Sequence, residues 1–286
     1  MDLKALEEAG KIAAEIKREV KKIVRPGEKL LEVAEWIEGK IRDEGAFPAF
    51  PVNISINDVA AHYSPWPGDR MVFKEGEVVK IDFGLHIDGW PVDTAFTVDL
   101  GEHDELLRAA EDALKSALEV LRERGAETTL SEVGRAIENA IRGRGFLPIT
   151  NLTGHQMNRW ILHAGRSIYN YDCGSREKLG YGIFAIEPFA TDGFGKVKEG
   201  EKSSIYRLLS PKPQRLPQLR KLLGEIKKFR TFPFSARWVS SPAYLPLLVK
   251  QGVLHNYPLL IEVKGGVVSQ FEETVLIGER VKILTR

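Results

Sequence analysis

The amino-acid sequence predicts an α+β fold in which helices cover antiparallel strands. Three observations lead to this prediction. Two helical segments precede a strand hairpin near the start of the chain, the same helix–helix–strand order recurs after it, and a segment of different composition precedes the last strands. The recurrence predicts two similar halves, and therefore a pseudo-symmetric molecule with one insertion.

The first half is predicted from apolar spacing and from turn residues. Residues 1–24 and 28–43 carry apolar side chains at helical intervals, and a Pro-Gly pair separates the two helices. An aromatic stretch rich in Pro and Asn follows, and it predicts loops that line a cavity. Residues 78–98 then predict two strands joined at Asp88-Gly89, a pair typical of a tight hairpin turn.

The second half repeats this order. Apolar spacing predicts helices over residues 103–124 and 130–143. Short strands and glycine-rich turns are predicted from there through Phe189, and strands resume at Ile261.

The segment of residues 191–250 differs from the rest of the chain in composition. It is rich in Lys, Arg, Pro and Leu, and its leucines have helical spacing. This pattern predicts an inserted helical subdomain. The predicted main domain is therefore formed by residues 1–190 and 251–286 together.

Composition and charge exclude several classes of protein. The net charge is +1, and a single cysteine is incompatible with an intrachain disulfide framework or a multi-cysteine zinc site. The first twenty residues carry charges every few positions, so we expect neither a signal peptide nor a membrane span.

Residues 196–230 hold eleven Lys and Arg against three Asp and Glu. Solvated helix faces explain this excess most simply, and contact with an acidic partner such as ribosomal RNA is the alternative.

Two aspartates of the predicted hairpin lie on one face. With a two-residue turn Asp82 pairs with Ala95 and Asp93 is its diagonal neighbour, whereas a four-residue loop would place the two aspartates directly opposite. Either register brings the carboxylates within about 8 Å of each other. Because two ionised carboxylates repel, the sequence predicts a shared proton, a nearby Lys or Arg, or a bound metal.

Further metal-ligating residues recur in apolar or glycine-containing contexts. His155 is predicted in a strand, Glu187 at the end of another strand, and His62 in a polar loop. The stretch "VVSQFEETVLI", residues 267–277, reads as one strand in which Glu272 and Glu273 point to opposite faces. Several carboxylates with an imidazole suit divalent ions such as Mn, Fe or Co, although each residue alone also has a structural explanation.

These motifs, in this order, resemble the type 2 methionine aminopeptidases of archaeal length. The resemblance runs nearly from end to end, through "PAFPVNISINDVAAHY", "KIDFGLHIDGWPVDTA", "NLTGHQMNRWILHAG", "FAIEPFA", "FPFSARW" and "QFEET". It implies the pseudo-symmetric pita-bread α+β fold, with the insertion that separates type 2 from type 1 enzymes. It also implies a cytoplasmic, monomeric hydrolase that removes the N-terminal methionine of nascent polypeptides and prefers a small second residue.

The resemblance further implies roles for individual residues. A hydroxide held by two divalent ions (Co, Mn or Fe, with Zn as a further candidate) would attack the first peptide bond, with Asp93 and Glu272 bridging the ions. The implied metal ligands are Asp82, Asp93, His155, Glu187 and Glu272. The implied catalytic residues are His62, His163 and Glu187. The implied substrate-binding residues are Phe50, His62, Leu162, His163, Phe189 and Tyr257.

The sequence also leads to expectations about binding partners and leaves two alternative functions open. Transient ribosome association would use the basic residues 196–230, and no membrane partner is expected. Two alternatives remain at this point, namely a peptidase of the same fold that cleaves Xaa-Pro bonds, and a non-enzymatic binding protein. The chain departs from the family pattern at Glu273, where histidine is expected, and the sequence offers no physical reason for this glutamate.

Overall fold

The computed structural model describes residues 1–286, with six α-helices and sixteen β-strands. The helices are α1 Leu3–Val20, α2 Leu30–Asp43, α3 Asp104–Arg124, α4 Leu130–Gly143, α5 Pro217–Ile226 and α6 Leu245–Lys250. The first eight strands are β1 Phe47–Pro48, β2 Asn53–Ile56, β3 Val59–Ala61, β4 Val78–Ile87, β5 Trp90–Asp99, β6 Leu147–Pro148, β7 Thr153–Met157 and β8 Ser167–Tyr169. The last eight are β9 Gly182–Ile186, β10 Phe189–Thr191, β11 Val197–Leu208, β12 Phe234–Ser235, β13 Leu254–Glu262, β14 Val268–Gln270, β15 Glu273–Ile277 and β16 Val281–Ile283.

The first half consists of α1 and α2 packed against the β4–β5 hairpin around a core of 27 buried residues. Asp88 and Gly89 form the two-residue turn with φ angles of 49° and 83°, the left-handed conformation that a type I′ hairpin requires. Asp82 therefore lies opposite Ala95, and Asp93 lies opposite Gly84. The structure selects the two-residue register over the four-residue one.

The second half consists of α3 and α4 over a sheet with the strand order β16-β15-β9-β7-β8. A core of 19 buried residues lies between these helices and strands. Thr129 and Glu132 form a capping box that fixes the start of α4. The predicted helices of both halves are confirmed, and their ends shift by a few residues.

The segment of residues 191–250 contains α5 and α6, and a separate core of 12 buried residues forms around them. Residues 197–208 are not helical, however. They form the long strand β11, which pairs with β13, and β13 in turn pairs with β3 of the first half. The segment is thus joined to the first half by backbone hydrogen bonds through β13 and β3, and its separation as a subdomain stays a prediction.

The single strand predicted over residues 267–277 is wrong. The chain forms β14, which pairs with β10, and then β15, which pairs with β9. Phe271 and Glu272 lie between the two strands, where Glu272 forms an isolated bridge with Ala95 of β5. The alternating pattern is the same on both sides of this crossing, and so the sequence does not reveal the change of sheet.

None of the six helices combines the length and the apolar character needed to cross a membrane.

Candidate metal centre and active site

One cavity of about 240 Å³ collects every residue predicted for the site. It lies between the two halves, with contributions from both hairpin strands and from the crossing between β14 and β15. The predicted residues that line it are Phe50, His62, Asp82, Asp93, His155, Leu162, His163, Glu187, Phe189, Tyr257 and Glu272.

The hairpin presents Asp82 and Asp93 to this cavity from neighbouring strands. The backbone of Asp93 is held on both sides by the hydroxyl of Thr274, which accepts from the Asp93 N–H and donates to its carbonyl at 2.7 Å each. Asp82 Oδ1 and Asp93 Oδ1 are buried and have no hydrogen-bond partner. Burial raises the pKa of Asp93 to about 8.

The second half supplies His155 and Glu187. His155 lies opposite Ala185 in the β7–β9 pair, and Glu187 follows β9 directly. His155 Nε2 lies 3.6 Å from both Asp93 Oδ2 and Glu187 Oε1. Burial lowers the pKa of His155 to about 4, so its imidazole is neutral at neutral pH and can offer a lone pair to a metal.

Glu272 reaches the same point from the crossing between β14 and β15. One ligating atom each of Asp93, His155 and Glu272 lie within 4.8 Å of one another. Glu272 Oε1 is buried without a hydrogen-bond partner. Burial, together with the neighbouring carboxylates, raises the pKa of Asp82, Glu187 and Glu272 well above the usual range.

These five side chains would fit a divalent metal. Four carboxyl groups converge with one neutral imidazole, those of Asp93 and Glu272 buried and those of Asp82 and Glu187 half-buried. No Lys or Arg lines the cavity to neutralise them. A buried carboxylate is costly unless it is paired or coordinates a metal. Oxygen and imidazole ligands are those that Mn, Fe and Co accept in proteins.

His62 and His163 both line the cavity, but they differ in their surroundings. His62 Nδ1 lies 2.9 Å from the carbonyl oxygen of Pro258, which can only accept. Nδ1 therefore carries the proton, and Nε2 is left as an acceptor. His163 is exposed, and its ring lies 4.2 Å from that of His155.

Apolar side chains form the remaining wall. Phe50 and Phe189 are buried, and the ring of Tyr257 packs edge-on against His62 at 5.4 Å. The wall depends on Gly84, because a Cβ there would lie 2.4 Å from Phe50 Cε1. The result is an apolar pocket beside the carboxylates.

Several lining residues were not predicted. Asn53 and Pro233 lie within the motifs on which the family resemblance rests, but the resemblance was not used to give them a role. For Ile205 of β11, no sequence pattern indicated a place in the cavity. The additional lining residues are Asn53, Ala61, Asn151, Leu152, Thr153, Ile205, Pro233 and Leu260.

Glu273 lies on the opposite face from Glu272, as the strand alternation predicted. Its Oε1 pairs with Lys17 Nζ at 2.8 Å, and its Oε2 accepts from the hydroxyl of Thr285 at 2.5 Å. The structure thus supplies the physical reason for this glutamate that the sequence lacked.

The remaining histidines do not line this cavity. His86 is buried among Phe47, Trp160 and Phe232. His103 Nδ1 lies 3.3 Å from Asp99.

Known proteins resemble this chain over nearly its whole length. The model of metallopeptidase family M24 matches residues 4–279. The methionine aminopeptidase of Archaeoglobus fulgidus is 48% identical over 95% of this chain and 94% of its own length. That of Pyrococcus abyssi is 48% identical over 100% of this chain and 99% of its own.

Two solved structures confirm the predicted pita-bread α+β fold. A thermophilic Arx1 has a TM-score of 0.83 at 19% identity and covers 99% of this chain and 91% of its own. A methionine aminopeptidase from Thermotoga maritima has a TM-score of 0.73 at 24% identity and covers 100% and 98%. With a family model matched over most of its length and relatives at 48% identity, the chain belongs to metallopeptidase family M24.

Proposed function

We propose that this chain is a metal-dependent aminopeptidase that removes the N-terminal methionine from nascent proteins and peptides. The observation behind the proposal is that four carboxyl groups and a neutral imidazole converge beside an apolar pocket, in a cavity without Lys or Arg. The family and the names of the archaeal relatives confirm the prediction of a metallo-hydrolase of this kind.

Five residues would hold the metal in this proposal, and a set of this size suits two ions, with Co, Mn or Fe preferred and Zn as a further candidate. When bound, a divalent metal polarises the substrate carbonyl and lowers the pKa of a water molecule. The proposed ligands are Asp82, Asp93, His155, Glu187 and Glu272.

Three side chains of the cavity would bind the substrate and transfer the proton. His62 Nε2 faces the cavity as an acceptor and can hold the scissile amide N–H. His163 would contact the substrate from the other side and stabilise the tetrahedral intermediate. Glu187 would pass a proton from the attacking water to the leaving amine.

The apolar wall suits a methionine side chain. A thioether is flexible and apolar, and it gains from contact with aromatic rings. The pocket residues proposed for this contact are Phe50, Leu162, Phe189 and Tyr257. A small second residue of the substrate is part of the same proposal.

Release of methionine from a Met-Gly peptide, with Mn or Co added, tests this function. Glu187→Ala and Glu272→Ala should each lower kcat/KM by at least about 100-fold, since a bound metal contributes several kcal/mol to the barrier. Glu279→Ala, an exposed acid of the same terminal segment, is the matched control and should match the parent.

Unchanged activity in both site variants would refute the assignment. Cleavage of Xaa-Pro peptides instead of Met-Gly would support the first alternative. Binding of RNA without any release of methionine would support a non-enzymatic protein.

Transient ribosome association through residues 196–230 is a further part of the proposal. Lys228 and Arg230 of this segment line a cleft of about 720 Å³ together with Arg42 and Trp160. The Arg230 guanidinium lies 4.0 Å from the Trp160 ring centroid, so stacking aromatics do accompany the basic residues. Salt-dependent co-sedimentation with ribosomes would test this contact. A cytoplasmic location and a monomeric state are separate parts of the proposal, and they rest on the resemblance to the family alone.

A further inference from the structure

A buried ion pair lies directly behind the proposed metal centre. Lys17 of α1 and Glu273 of β15 are separated by 256 residues in the chain, and their charged atoms lie 2.8 Å apart. The two side chains are only 12% and 10% exposed. Both therefore lack the water that solvates an ordinary surface pair.

The pair belongs to a chain of hydrogen bonds that reaches the backbone of Glu272 and the residue next to Asp93, two of the proposed metal ligands. Lys17 Nζ also donates to the hydroxyl of Thr94 at 3.0 Å, and that hydroxyl donates to the carbonyl of Glu272 at 2.9 Å. The hydroxyl of Thr285 donates to Glu273 on the other side. Thr94 directly follows Asp93, and Glu273 directly follows Glu272.

The backbone at Glu272 has little other support. It lies between β14 and β15, outside either ladder, and its only bridge is to Ala95, with N–O distances of 2.9 and 3.4 Å. Neighbouring residues of an extended chain point to opposite faces. A contact that fixes Glu273 on one face therefore also directs Glu272 on the other.

We propose that Lys17 and Glu273 are positioning residues for the metal ligands Asp93 and Glu272. Their ion pair holds the two ligand-bearing segments at a fixed distance through Thr94, without itself touching the metal. This inference rests on the proposed function, since it concerns the ligands named there.

Another ion pair of the same helix serves as a control. Glu7 of α1 and Lys282 of β16 lie 2.7 Å apart, but they are 43% and 52% exposed. This pair also joins α1 to the terminal strands, yet neither side chain forms a hydrogen bond or ion pair with any other residue. Lys282→Met should therefore leave metal binding unchanged.

Isothermal titration of the metal-stripped full chain with Mn²⁺ tests the proposal. Lys17→Met and Glu273→Gln should each raise the Kd for Mn²⁺ by about 10- to 100-fold, the usual effect of removing a residue that orients a ligand. The double variant should lose less than the product of the two single effects, because the residues act as a pair. Thr94→Val keeps the shape of the side chain and should weaken binding through loss of its hydroxyl alone.

The thermal midpoint in chelator separates positioning from a purely structural role. If Lys17→Met, Glu273→Gln and Thr94→Val lower the midpoint but keep Kd within twofold of the parent, the proposal is overturned. If a charge variant does not fold, the result for Thr94→Val decides. Glu272→Ala is run alongside, and parent-like Mn²⁺ binding in that variant would refute the ligand assignment of the proposed function instead.

Discussion

Two adjacent glutamates of one segment have opposite surroundings. Glu272 and Glu273 are 2% and 8% exposed, so both are buried. Glu273 has a cation and a hydroxyl within hydrogen-bonding distance. Glu272 Oε1 has no hydrogen-bond partner, and burial and the acids around Glu272 raise its pKa. The chain thus pairs the buried carboxylate on one face with a cation of its own and leaves the buried carboxylate on the other face without a hydrogen-bonded counter-ion.

Removing the charge of each glutamate in turn should give the largest measurable difference between them. In chelator at pH 7.5, Glu273→Gln should lower the free energy of unfolding by about 1.5–3 kcal/mol, because it leaves the Lys17 ammonium buried without its counter-ion. Glu272→Gln should leave that free energy unchanged or raise it, because it removes one member of a group of mutually repelling acids. Urea denaturation of both variants measures the two effects.

The two variants are expected to differ in the sign of the change in the free energy of unfolding. Glu279→Gln, on the exposed terminal segment, should match the parent and controls for the loss of any acid. A stability loss in Glu272→Gln as large as that in Glu273→Gln, with chelator present, would show that Glu272 is paired within the chain after all.

The affinity for Mn²⁺ should depend on pH, and this smaller effect also distinguishes the acids that face the cavity from Glu273. Burial raises the pKa of Asp93 to about 8, and the pKa of Asp82, Glu187 and Glu272 is also raised. Since ligands bind a metal in their deprotonated form, protons must leave as it binds, and the Kd for Mn²⁺ should fall as the pH rises from 6 to 8. Each proton released corresponds to about a tenfold change in Kd per pH unit.

Titrations at three pH values, with buffers of different ionisation enthalpy, measure both the Kd and the protons released. A Kd independent of pH across this window would mean that the acids facing the cavity are already ionised before metal arrives. The cavity acids would then not differ from the paired Glu273 in the way described above.

Local patterns explain which parts of the fold could be predicted. The helices follow from apolar spacing, and the relation of Asp82 to Asp93 follows from the Asp88-Gly89 turn between them. The other proposed ligands could be grouped from the sequence only through the resemblance to a family. His155 lies near Glu187 because β7 pairs with β9, and Glu272 lies near Asp93 because Glu272 forms a bridge with Ala95. Periodicity reports the face on which a residue lies, and it does not report the strand that lies opposite.

By itself the sequence determined the α+β plan, the hairpin and the family motifs, because each depends on residues close together in the chain. Only the tertiary structure decided that residues 267–277 cross between two sheets, that residues 197–208 form a strand, and that Glu273 meets Lys17. These features depend on contacts between distant segments, whose pairing is set by how the whole chain packs. The glutamate that departs from the family pattern is thus explained by a lysine 256 positions away.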